Sequence, residues 1–196
     1  MLAFALLPLL SQPAFAVPKG FTEIKTTGGC SYYLGPEKAS GYAVLRAECQ
    51  WADVTVDELD KLLSKHADHD LYFSAVATSD VLGSEAGGTK VFQVHQASGI
   101  SDREATLLYN RTVSGASITH AWQLTPTQPA PKDDRVTCVV DTGLWTLTPT
   151  PSGGATVIYE LWYEPGGSVP GFVVRWFQTS GVVTLVDELH KYALAH

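Results

Sequence analysis

From Leu71 to Glu164 the chain alternates apolar and polar residues with a period of two, and at Gly166 that pattern gives way to a helical one running to Ala195. The alternating stretch divides into strands at Leu71 to Leu82, Thr89 to Ala97, Glu104 to Val113, Ser117 to Thr125, Arg135 to Thr148 and Ala155 to Glu164. Turn-forming segments separate them: Gly83 to Gly88, Ser98 to Asp102, Ser114 to Ala116, Pro126 to Asp133 and Pro149 to Gly154. Sequential strands with short turns predict one antiparallel meander, which twists and curls as it widens.

The closing stretch reads as a single long helix from about Pro170 towards Ala193, with Ser168 able to cap it and Pro170 tolerated in its first turn. At 1.5 Å per residue it spans roughly 35 Å. Phe172, Val173, Val174, Trp176 and Phe177 crowd its first half, and only Arg175 interrupts them. The second half carries Val182, Val186, Leu189 and Ala193 on one stripe, with Asp187, Glu188 and Lys191 off it. The first half is expected to face a cavity and the second to anchor on the sheet, with a kink at Thr179-Ser180-Gly181. One helix cannot fill the concave side of so large a sheet, and the space left over is a pocket. Aromatic residues along the strands, Tyr72, Phe73, Phe92, Tyr109, Trp122, Trp145, Tyr159, Trp162 and Tyr163, suit the wall of a cavity for an apolar ligand.

Ahead of the meander, Cys30 to Leu34 and Tyr42 to Cys49 form a hairpin that places the two cysteines near one another, so a disulfide is expected there if the compartment is oxidising. Cys138 is then left alone in a strand. Thr55 and Glu58 form a capping box that opens a short helix with Leu59, Leu62 and Leu63 on its apolar face. Residues 1–16 read as a secretory signal, apolar with a small-x-small site at Ala14-Phe15-Ala16, which predicts an exported, periplasmic or secreted protein whose residues 17–196 form one domain.

With 13 Lys and Arg against 20 Asp and Glu, a net charge of −7 and no basic run, the chain is a poor partner for nucleic acid. Glycine-rich nucleotide signatures, a G-x-S-x-G elbow and C-x-x-C pairs do not occur. No cofactor is implied. His66-Ala67-Asp68-His69-Asp70 is the one cluster with ligand-like density, and its place at a helix exit suits solvated polar residues better than a metal. His190 and His196 are expected to face solvent, and no catalytic pair or metal set is assigned.

Three stretches carry a family resemblance. Thr89 to Val94 followed by Ile100-Ser101-Asp102-Arg103-Glu104 resembles a strand, an "sDRD" turn and a second strand. Gly143-Leu144-Trp145-Thr146-Leu147-Thr148-Pro149 resembles a "G-x-W-x-x-x-P" strand end, and Tyr159 to Trp176 resembles a last strand, a "P-G-G-x-x-P" crossing and the start of a lid helix. In order and spacing these resemble the START (steroidogenic acute regulatory protein-related lipid transfer) domains of the SRPBCC superfamily, and with the leader they point to a bacterial exported member. The resemblance covers about residues 30–194 and implies an α+β helix-grip fold, START/Bet v 1-like, with a curved antiparallel sheet wrapped around a long C-terminal helix and an internal apolar cavity. It implies a non-catalytic carrier of a lipid or hydrophobic small molecule. Such a carrier is expected to be a monomer that makes transient membrane contact, gated by the C-terminal helix. The Pro126 to Asp133 loop and the Gly166 to Pro170 junction are the expected points of access, with Gly166 and Gly167 able to hinge the helix away from the sheet. Asp102 and Arg103 are architectural in such domains.

The residues expected to meet the ligand are Phe92, Tyr109, Arg111, His120, Trp122, Trp145, Phe172, Trp176 and Val183. Sterol-transfer members carry an inward arginine where this chain has Tyr109, which argues against a sterol and leaves other lipids open; Arg111 shares the parity of Tyr109. The alternative is an enzyme resembling the superfamily's polyketide cyclases and aromatases, with His95, His120, Tyr109 and Glu160 as the polar groups.

Overall fold

The computed structural model describes residues 16–132 and 134–196, so all of the expected leader but Ala16 lies outside the described residues. Ten strands make one sheet: β1 (Thr22–Thr27), β2 (Cys30–Glu37), β3 (Ala43–Trp51), β4 (Val76–Glu85), β5 (Gly88–His95), β6 (Arg103–Ser114), β7 (Ser117–Leu124), β8 (Val136–Thr137), β9 (Val140–Pro149) and β10 (Ala155–Glu164). The helices are α1 (Val56–Ser64), α2 (His69–Tyr72), α3 (Gly171–Trp176) and α4 (Val182–Ala195), with a π turn at Phe177–Gly181 between the last two.

The sheet runs β1-β2-β3-β10-β9-β7-β6-β5-β4. Strands β4 to β10 form the expected meander apart from β8, and the N-terminal strands join it through the antiparallel pairing of β3 with β10. The ends of this order, β1 and β4, do not pair, so the sheet stays open.

Three elements differ from the sequence expectation. Strand β1 was not expected: Thr22–Thr27 is almost wholly exposed, so it has no buried face to print an alternation. The strand expected from Leu71 starts only at Val76, because His69–Tyr72 closes a helical turn held by Tyr72 Oη donating to Leu62 O at 3.0 Å. The strand expected at Arg135 to Thr148 is two. Cys138 N–H bonds Glu104 O and Val139 N–H bonds Glu164 O, so the chain leaves a short parallel pairing with β6 and crosses to β10 at that step.

Helix α1 starts on the expected capping box: Thr55 Oγ1 accepts from Glu58 N–H at 3.3 Å, and Glu58 Oε2 accepts from Thr55 N–H at 2.7 Å. Val182, Val186, Leu189 and Ala193 of α4 are all buried, and with Leu59 and Leu63 of α1 they join the core on the sheet. Burying each of these valine and leucine side chains is worth about 1.5–3 kcal/mol, which anchors the second half of the C-terminal segment. The π turn coincides with Thr179-Ser180-Gly181. Gly181 fits there because an added Cβ would stand 3.2 Å from the Phe177 ring.

Cys30 and Cys49 face one another across β2 and β3 and are joined as a disulfide that closes a sequence separation of 19. A cross-link over a loop of that size stabilises by about 2–4 kcal/mol, chiefly through the unfolded chain. The C30A/C49A variant is expected to lose that amount in urea unfolding followed by tryptophan fluorescence. An unchanged midpoint would mean that the pair is not bonded in solution.

Candidate functional site

Between the curved sheet and the C-terminal helices lies a cavity of about 600 Å³. Strand parity builds its wall. On β10 the inward residues are Tyr159, Leu161 and Tyr163, on β9 Asp141 and Trp145, on β7 His120 and Trp122, on β6 Tyr109, and on β5 Gln93 and His95. Val173, Val174, Trp176 and Phe177 roof it, with Thr184, Leu185 and Glu188 of α4 continuing the roof. The lining residues Ser74, Gln96, Ser98, Trp176 and Thr184 are also solvent-exposed, which puts the opening between the helical roof and the ends of β4 and β5.

The aromatic wall is continuous. Trp122 lies between Tyr109 and Tyr159, with ring centroids 5.9 and 6.2 Å away, and Trp145 packs on Tyr159 at 4.3 Å and faces Phe73 at 6.3 Å. Gly143 makes room for it: a Cβ there would stand 2.5 Å from Trp122 Cζ2 and 2.5 Å from Glu160 O. Trp122 can then lie flat and donate from Nε1 to Asp141 Oδ1 at 2.7 Å.

The expected ligand residues divide. Tyr109, His120, Trp122, Trp145 and Trp176 line the cavity. Phe92 does not, because β5 turns Gln93 and His95 inward and leaves Phe92 on the other face. Arg111 keeps the parity of Tyr109 but lies beyond the cavity, where Asp60 of α1 takes both its Nε at 2.7 Å and its Nη2 at 2.8 Å. Phe172 is 69% exposed and points away from the cavity, and Val183 packs on the core instead, because the π turn shifts the phase of the helix. Of the polar residues weighed for chemistry, His95, His120 and Tyr109 are in the wall, and Glu160 is on the opposite face, paired with Arg46.

Other expectations change as well. Of the loop expected as a gate, the described residues 126–132 do not line the cavity. Gln128 ties it into the sheet by accepting from Thr106 N–H at 2.7 Å and donating to Thr106 O at 2.8 Å. The His66 to Asp70 cluster is not solvated as a whole: His69 is buried, and both imidazoles pack on Tyr109 at 4.5 and 5.5 Å. His190 stacks on Trp51 at 4.4 Å and reaches Asp53 at 2.9 Å. Arg103 is buried and donates to the carbonyls of Ser101, Pro165 and Gly166, fastening the turn before β6 to the crossing before α3.

Sequence reasoning missed Gln93, His69 and Asp141. Gln93 bonds His69 Nδ1 at 3.1 Å and Ser79 Oγ at 2.9 Å on its amide side, and Tyr109 Oη at 3.3 Å and His95 Nε2 at 3.2 Å on its carbonyl side. Burial pushes Asp141 up to about 7, opposed by the Trp122 N–H, and burial holds His66, His69 and His95 down to about 4, 3 and 4. Cys138, free and buried, donates to Tyr163 Oη at 3.3 Å, and burial raises its thiol to about 12.

These shifts oppose one another. The histidines are neutral when folded and titrate near 6.5 when unfolded, so they cost stability as pH falls from about 6.5 through about 4. Asp141 keeps its proton up to about 7 when folded but loses it near 3.8 when unfolded, so over the same range it returns stability as pH falls. Asp141→Asn is therefore expected to make the acid loss of stability steeper between pH 7 and 5. Parallel curves for the variant and the parent in urea unfolding would contradict this placement of Asp141.

Comparison with known families and with curated proteins finds no match for the chain. Solved structures do match. The STAR-related lipid transfer protein (fragment 25–204) from Xanthomonas axonopodis is similar at TM-score 0.79 and 20% identity, over 89% of this chain and 99% of that one. Human StAR-related lipid transfer protein 5 is similar at TM-score 0.81 and 15% identity, over 91% of this chain and 88% of that one. The di-domain ARO/CYC BexL is similar at TM-score 0.53 and 15% identity, over 78% of this chain and 49% of that one. The open antiparallel sheet, the C-terminal helix gripped on its concave side and the space between them are those of the START helix-grip fold.

Proposed function

We propose that the protein binds one lipid or other hydrophobic small molecule in this cavity and carries it unchanged. The observation that carries the reading is the aromatic-walled cavity of about 600 Å³ under a helical roof whose buried stripe lies in its second half. At roughly 25 cal/mol per Å² of apolar surface removed from water, enclosing a few hundred Å² of ligand supplies several kcal/mol without a catalytic group. Structures of similar fold are named for lipid transfer.

Access is through the roof. Helix α3 is short, and the π turn behind it interrupts the regular helix, whereas α4 is fixed by its buried stripe and by Glu188 Oε2 accepting from Ser74 N–H at 3.1 Å. Phe172 and Trp176, 69% and 51% exposed, lie on this short helix and would enter a membrane surface as the roof opens. An exported monomer of one domain, residues 17–196, is the form proposed for the carrier; the Cys30–Cys49 disulfide fits an oxidising compartment.

A second reading, an enzyme of the aromatase and cyclase kind, is favoured by one observation, the half-buried His95 and the buried Asp141 with Nδ1 and Oδ2 3.8 Å apart in the cavity. Turnover that is abolished by His95→Ala while binding persists would establish it.

Val173 is buried in the roof and faces the cavity. Val173→Trp is expected to fill the space and weaken binding of a fluorescent fatty-acyl probe by about tenfold or more, about 1.4 kcal/mol. Phe172→Ser is expected to leave that affinity within about twofold and to slow probe transfer between vesicles. Undiminished binding by Val173→Trp would place the ligand elsewhere.

A further inference from the structure

At the polar end of the cavity the hydrogen-bond pattern fixes which groups around Asp141 are left as acceptors. Gln93 Nε2 faces Ser79 Oγ and His69 Nδ1, and Ser79 Oγ spends its own proton on His66 O at 2.6 Å. With its amide nitrogen so placed, Gln93 Oε1 accepts from Tyr109 Oη and from His95 Nε2, so the His95 ring proton sits on Nε2 and Nδ1 presents a lone pair. That lone pair accepts from Tyr163 Oη at 3.3 Å, and Tyr163 Oη accepts in turn from the Cys138 thiol.

Asp141 lies next to this chain. Its side chain is 4% exposed, Oδ1 is taken by Trp122 Nε1, and Oδ2 stands 3.8 Å from His95 Nδ1, beyond hydrogen-bond distance and with an acceptor opposite. Among the described residues no donor reaches Oδ2. The one arginine in the lining, Arg103, is committed to backbone carbonyls. Above about pH 7, where Asp141 is ionised, a phosphate or carboxylate brought beside Oδ2 would meet a like charge and, among the described lining residues, no free cation. A donor would complete the set.

We infer that the ligand's polar end is a hydrogen-bond donor, an ammonium or a hydroxyl, seated on Oδ2 of Asp141, and that anionic head groups are excluded. This deepens the carrier reading and rests on it. The raised carboxyl of Asp141 agrees: burial destabilises its ionised form, and the cationic donor is the one that would restore it.

The test compares three probes of one chain length, tetradecylamine, tetradecanol and tetradecanoate, by quenching of intrinsic tryptophan fluorescence at pH 8. The amine and the alcohol are expected to bind about tenfold or more tightly than the carboxylate. In Asp141→Asn, which keeps an acceptor for Trp122, the amine is expected to lose about tenfold while the alcohol stays within about threefold, and this separates the two donors. The ranking in the unaltered protein needs no variant to fold. Three equal affinities, or tighter binding of tetradecanoate, would overturn the head-group inference alone. Binding of none of the three would overturn the cavity reading beneath it.

Discussion

A helix with its side chains is about 10–12 Å across, and strands in a sheet lie about 4.8 Å apart, so one helix covers only a few strands of a ten-stranded face. The remainder must curl, be filled by side chains, or stay open. All three happen here. The sheet curls around α4, the stripe Val182, Val186, Leu189 and Ala193 together with α1 fills one part, and the other part stays open beneath α3. The cavity follows from this shortage of covering surface, and the roof above it is held less firmly than α4 because it has fewer buried residues to hold it.

An apolar, enclosed space changes the value of the polar groups left inside it. In water Asp141, His95 and Gln93 would be ordinary side chains. Enclosed, each needs a partner, and Gln93 with four neighbours organises most of them into one network. The aromatic wall and the network are parts of one site: Trp122 stacks in the first and fixes an Asp141 oxygen in the second. Gly143 admits Trp122 to that position, and Arg103 holds the crossing from which the roof starts.

Much of this was legible in the sequence. Period-two alternation gave the meander and put Tyr109, His120, Trp122 and Trp145 on the inner face, the Thr55 and Glu58 pair marked α1, and the buried stripe of α4 was readable residue by residue. What escaped reading had physical causes. Strand β1 lacks a buried face. On β5 the usual polarity is inverted, since Gln93 and His95 face inward where the cavity is polar, and a rule that sends apolar residues inside chooses Phe92 instead. The π turn alters the phase of the roof, so Val173 and Val174 face the cavity where Phe172 was expected. Asp141 sits just before the Gly143 to Trp145 stretch, and only the fold shows that it is enclosed.

The space under the roof is either a binding site or imperfect packing. Native mass spectrometry of the protein after exposure to a lipid extract from its own source distinguishes the two. One bound hydrophobic molecule per chain, lost in Val173→Trp, is the expected result; a bare chain mass from every lipid mixture offered would mean that the space holds no ligand.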